Sequence, residues 1–175
     1  HPNRRQSALA SLPGDIPNRF SVAVMMERSA VLNNPWIDHR WSAVAVTVDS
    51  NHSAQAARRQ QVYQENGLLR ELHRGFVLTL HDDECESYYH NLISEEPRCF
   101  VIATRDESAI PMPKLVTLSF DVAHAHMECE GELFAVEIAP ELYRWCEAFV
   151  LANYIPEQRR KRKRTDWSGE RVEGA

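Results

Sequence analysis

Apolar and polar positions alternate through most of this chain, and the alternation predicts strands. Phe20, Val22, Val24 and Met26 share one face of a half-buried strand. Asn33, Asn34 and Pro35 break the chain, and Val44, Val46 and Val48 then mark a second strand. The polar stretch Ser50–Arg74 reads as a connection: Ala54–Gln64 has weak helical periodicity, Gly67 interrupts it, and Leu68–Leu72 adds a short strand or turn. Alternation resumes at Phe76, Leu78 and Leu80. His81–Glu84 is polar enough to turn, so the expected course is an antiparallel return through Tyr88–Ile93. Cys99–Thr104, Leu115–Leu118 and Glu132–Ile138 supply the remaining strands, with Ile110–Pro113 as a stiff loop.

Helical periodicity is clearest near the end. Over Pro140–Tyr154, Leu142, Trp145, Cys146, Phe149 and Val150 follow the i, i+3, i+4, i+7, i+8 spacing of one apolar stripe. Pro140 suits a first helical turn, and Pro156 ends the segment. Ser119–Cys129 supports two readings. As a strand it brings His124 and His126 to one face, where they would approach a metal together. As a helix it has Ser119 as N-cap and Gly131 as stop, and the two histidines point about 200° apart.

These elements predict an α+β fold: one antiparallel sheet of about six strands, packed by the C-terminal amphipathic helix, with a shorter helix before it. Closure of the sheet into a small barrel is the alternative. The expected organisation is a disordered arm over residues 1–18, a single domain over 19–156 and a disordered basic tail over 157–175. The arm has only a short apolar patch, Ala8–Leu12, which makes a poor signal peptide, and a start at His1 leaves room for a missing upstream piece.

Composition narrows the class. The chain has 175 residues, 43% hydrophobic and 26% charged, as expected of a soluble globular domain. No apolar run approaches the roughly 18 residues of a membrane span. Cys85, Cys99, Cys129 and Cys146 are scattered without a CxxC pair, which argues against a zinc ribbon or a disulfide framework and suits a cytoplasmic protein. The net charge of −5 conceals a division. Arg159, Arg160, Lys161, Arg162, Lys163 and Arg164 hold six of the 20 basic residues; the other 14 face 25 acidic ones, so the rest of the chain carries −11.

Candidate chemistry is mostly binding chemistry. Trp36, Arg40 and Trp41 either cap a sheet edge, with Arg40 lying over one ring, or form a partner-binding aromatic patch. Asp83, Glu84 and Glu86, with Asp82, lack the spacing of a calcium loop and read as a solvated turn or a partner contact. The basic run and Trp167 suit an acidic protein surface or, as the alternative, a nucleic acid with Trp167 as a stacking ring. No GxSxG, HExxH, P-loop or glycine-rich dinucleotide turn is present, and the chain has only six glycines. The sequence therefore points away from catalysis and implies no cofactor. An unrecognised metal-dependent enzyme using histidines and cysteines is the remaining alternative.

A set of motifs also resembles a known family. MMER at Met25–Arg28, WxxxRW at Trp36–Trp41, LHDDECESYYHNL at Leu80–Leu92 and PRCFV at Pro97–Val101 are similar to a bacterial family named domain of unknown function 3305. So are VTLS at Val116–Ser119, GELFAVEIAPELYRW at Gly131–Trp145, and KRKR at Lys161–Arg164 followed by Trp167. The resemblance runs over roughly residues 20 to 167. It implies a companion of molybdenum-dependent formate dehydrogenases and their maturation factors, in the role of a non-catalytic accessory or assembly protein. Some members are labelled as molybdopterin-guanine dinucleotide biosynthesis proteins, yet the glycine-rich nucleotide-binding start of a guanylyltransferase is missing here. The resemblance brings no catalytic residues with it.

Overall fold

The alternation from Phe20 to Met26 becomes strand β1, Arg19–Ala30, in a computed structural model of the chain. That structure describes residues 16–32, 39–50, 57–105, 107, 110–127 and 131–154. β1 pairs antiparallel with β2, His39–Val48, on one side and with β4, Leu68–Thr79, on the other. β3, Arg59–Glu65, adds to β4, giving a four-stranded sheet in the order β2-β1-β4-β3. A second antiparallel sheet has β5, Arg98–Arg105, between β6, Pro111–Thr117, and β7, Glu132–Glu137.

Three helices accompany these sheets among the described residues. A 3-10 turn at Asp82–Glu84 runs into α1, Cys85–Ile93. α2 is Phe120–Met127, and α3 is Pro140–Asn153. The stripe of Leu142, Trp145, Cys146, Phe149 and Val150 is buried as its spacing requires. These residues share one core cluster with Val22, Val24 and Met26 of β1 and Val101 of β5. Burying an aliphatic or aromatic side chain of this kind contributes about 1.5–3 kcal/mol.

The expected single sheet of about six strands is instead, among the described residues, seven strands in two sheets that do not close into a barrel. β2 lies beside β7 and β4 beside β6, but neither pair is joined by a ladder. β3 occupies the outer side of β4 along Leu68–His73, and the turn and α1 then carry the chain away to the second sheet.

Three local expectations also change. Tyr88–Ile93 is helical, because Cys85, Tyr88 and Leu92 recur at i, i+3 and i+7 and are all buried. Burial of that face outweighs the strand preference of the tyrosines. The connection over Ser50–Arg74 contains a hairpin: Arg59–Gln64 is strand rather than helix, and residues 51–56 lie outside the described residues. Asn66 at φ 51° and Gly67 at φ 78° make the two-residue turn that this hairpin needs. The Ile110–Pro113 loop is largely strand, since β6 starts at Pro111. β6 is an edge strand, where proline's missing N–H is tolerated. Ser119–Cys129 resolves as helix over Phe120–Met127, with Ser119 Oγ accepting the Val122 N–H at 3.1 Å as the N-cap.

Candidate functional site

The acidic stretch after β4 opens a helix. Asp82, Asp83, Glu84 and Glu86 fall in the 3-10 turn and the first turn of α1, where negative charge is favoured by the helix dipole. Asp83 and Glu84 reach the rim of a cleft of about 390 Å³ at the seam between β4 and β6. Val77, Thr79 and His81 line one side, and Leu115, Thr117 and Val122 the other. Glu86 lies on α1 with its carboxylate 3.8 Å from His90 Nε2.

Beside this cleft, Ser119 ties the two short helices together. It is wholly buried. Its Oγ is 2.9 Å from Glu84 Oε2 and 3.0 Å from Ser87 Oγ, and it also accepts the Val122 N–H. A hydroxyl has one hydrogen and a carboxylate only accepts. Ser119 therefore donates to Glu84 and accepts from Ser87. A serine with its hydrogen and both lone pairs committed is a joint, and the Ser–Glu pairing is structural rather than nucleophilic.

The thiols are equally withdrawn. Cys85, Cys99 and Cys146 are free and buried. Burial pushes the thiols of Cys99 and Cys146 up to about 12, and it raises Cys85 too, reinforced by the nearby Asp82 and Asp83 carboxylates. They stay protonated at neutral pH, and a thiolate is the reactive form. Tyr88 is buried with its phenol oxygen accepting the His81 N–H at 3.0 Å, and burial raises its ionisation above the ordinary range. Among the described residues no group of three or more His, Cys, Asp or Glu side chains is placed to hold a metal ion. His124 and His126 sit on α2, both exposed, and Cys129 lies outside the described residues.

Of the aromatic patch, Arg40 and Trp41 are among the described residues. Arg28, not Arg40, lies over Trp41, with its guanidinium carbon 5.9 Å from the ring centroid. The register explains this: Arg28 faces Trp41 across β1 and β2, whereas Arg40 faces Ser29 and is exposed. Alternation from Met26 to Arg28 carried that signal in the sequence. Trp36, the basic run Arg159–Arg164 and Trp167 lie outside the described residues. The structure does not bring Trp41 to the acidic turn. Arg19 pairs with Thr79 just before the turn, and Arg28 is nine residues further along β1, roughly 30 Å away at strand rise.

A second cleft, of about 350 Å³, lies between α1, α2 and β5 and was not foreseen. Phe120, 49% exposed, and Phe100 form its aromatic wall at 5.7 Å between centroids, with His90 and Arg98 among its polar lining. Arg98 is held by Glu96 at 3.1 Å.

His73 is a buried ionisable group that sequence reasoning also missed. It is 5% exposed on β4, with Nε2 3.4 Å from Glu71, and Glu71 in turn holds Arg59 at 2.9 Å. Burial lowers its basicity below the ordinary 6.5, more than Glu71 raises it, with Arg59 acting in the same direction as burial. A depressed histidine makes the unfolded chain the better proton acceptor. Stability is then full above about pH 6.5 and is lost as pH falls through the region below it. Urea midpoints between pH 7.5 and 5.5 are expected to fall for the wild type and to fall less for His73→Gln; equal slopes would remove this role.

A family model described as "Protein of unknown function (DUF3305)" matches residues 21–163. No curated protein and no solved structure matches the chain. Among the described residues no helix is long and apolar enough to cross a membrane.

Proposed function

The chain belongs to the family described as Protein of unknown function (DUF3305), and from that membership and the chemistry above we propose that it is a non-catalytic accessory or assembly factor that works by binding a protein. The observation that carries this reading is the commitment, among the described residues, of the Ser119 hydroxyl and three cysteine thiols. The Ser119 hydroxyl is spent on a helix cap and on Glu84, and three thiols are buried and protonated. What faces the cleft between β4 and β6 is the exposed Asp83 carboxylate, with Glu84 held beside it by Ser119, next to aliphatic walls. That combination suits a basic side chain carried on an apolar segment of a partner. The proposed partner is a cytoplasmic molybdenum-dependent formate dehydrogenase or one of its maturation factors, in line with the family that the motifs at Leu80–Leu92 and Gly131–Trp145 resemble.

A nucleic-acid role through Arg159–Arg164 and Trp167 is the second reading. It is disfavoured by the −11 carried outside the basic run, which repels a polyanion. Capture of the tagged chain from its native host, beside a version ending at Glu157, separates the two. The expected result is dehydrogenase subunits or maturation factors with the full chain and fewer with the shortened one. Recovery of nucleic acid, lost with the tail and with added salt, would transfer the function to the second reading. No protein recovered above an untagged control would overturn the accessory role.

A further inference from the structure

The described residues end against α1. Tyr154, the residue after α3, stacks its ring on Tyr89 of α1, with centroids 5.2 Å apart and planes 15° from parallel. Tyr89 meets His90 edge to face at 5.5 Å, and His90 stands in the lining of the second cleft. Ser87, His90, Asn91 and Ser94 line that cleft at i, i+3, i+4 and i+7, so it runs along one side of α1. Around the helix, Ile93 and Glu86 lie between Tyr89 and this side. Chain leaving Tyr154 therefore starts within one helix width of the cleft.

The cleft suits a flat apolar group with basic neighbours. The half-exposed Phe120 and Phe100 form its wall, and the Phe120 ring is backed by His124 at 5.4 Å. Arg98 lines the same space with its guanidinium held by Glu96, and an indole is attracted both to aromatic rings and to a guanidinium. Glu96 and Asp121 bring carboxylates to the lining, and Glu86 brings another on the way from Tyr89. The sequence after Tyr154 carries the complement in the same order: Ile155 and Pro156, then the basic run Arg159–Arg164, then Trp167. Trp167 follows Tyr154 by roughly 13 residues, a reach of up to about 40 Å. We propose that this cleft is the docking site of the chain's own C-terminal segment, with Trp167 against Phe120 and Arg159–Arg164 crossing α1 at Glu86. So short a tether gives an effective concentration of about 1 mM, and contacts worth only ~0.1 mM between separate molecules then keep the segment about nine-tenths docked. The proposal is independent of the accessory role, and a partner that uses the basic run first has to draw it away from α1.

Fluorine NMR of the full chain labelled with 5-fluorotryptophan tests this, the Trp167 signal being identified by its loss in Trp167→Phe. The expected signal lies away from that of a labelled peptide spanning residues 155–175, and its position is the same at every protein concentration. Phe120→Ser should move it to the free-peptide position and leave the other three tryptophan signals in place. Glu86→Lys reverses the charge that the basic run crosses and should weaken docking by about threefold or more. If Phe120→Ser disturbs the fold, the other three signals report it and Glu86→Lys carries the test. A wild-type Trp167 signal already at the free-peptide position would overturn the proposal. So would a docked signal that the variants leave in place, or one that moves with protein concentration, which would mark the segment of a second copy in the cleft.

Discussion

Trp145→Ala is expected to destabilise the protein by about 3–5 kcal/mol, a large share of the stability of an ordinary domain. The ring is 8% exposed on the buried stripe of α3 and lies 5.1 Å from Phe20 of β1. Its Nε1 donates to the Pro17 carbonyl at 2.6 Å. The truncation therefore opens a cavity and also leaves a carbonyl without its donor. Trp145→Phe separates these effects: it keeps most of the packing and should lose about 1–2 kcal/mol for the bond and the smaller ring. Urea titration of the two variants reads both values. A cost under about 1 kcal/mol for the alanine variant would show that the α3 stripe does not anchor β1.

Asn91→Ala is expected to cost about 2–4 kcal/mol. The Asn91 amide on α1 donates through Nδ2 to the carbonyls of Arg98 at 2.7 Å and Leu118 at 2.9 Å. Its Oδ1 accepts the Arg98 N–H at 2.9 Å. One side chain thus closes the start of β5 and the residue after β6, satisfying main-chain groups that have no ladder partner there. Asn91→Asp keeps an acceptor but loses both donors and sets a charge against two carbonyls, so it should be no better than alanine. Chemical denaturation of both variants checks the order. If aspartate were tolerated at wild-type stability, the role assigned to Nδ2 would fail.

The parts of the fold legible in the sequence are those where burial is one-sided and the pattern is long. The α3 stripe is the clearest case, because its five apolar residues are also its five buried ones. β1 is legible for the same reason. β3 is not: all seven residues of RQQVYQE are exposed, so no alternation is imposed on it. Its signal is the turn pair Asn66–Gly67, of which Gly67 alone reads as an interruption of a helix. α1 is obscured by Tyr88, Tyr89 and Ile93, whose side chains prefer strands, although Cys85, Tyr88 and Leu92 have helical spacing.

The candidate site is legible in its residues and not in its contacts. Asp83 and Glu84 stand out by composition, but their meeting with Thr117 and Ser119 depends on two sheets coming together across a seam. Trp41 was recognisable as an aromatic anchor. Which arginine covers it depends on strand register, and in-chain proximity favours Arg40 where pairing delivers Arg28.

The bond from Trp145 to Pro17 spans 128 residues, and that separation bears on the order in which the chain folds. β3 and β4 close over a two-residue turn, and β5 and β6 are near neighbours in the chain, so these hairpins carry little loop entropy. The clasp between α3 and the chain entering β1 costs the most entropy to close and gains nothing until both sheets exist. It is therefore a late event in folding, and the β1 end of the core is the last part to become dry.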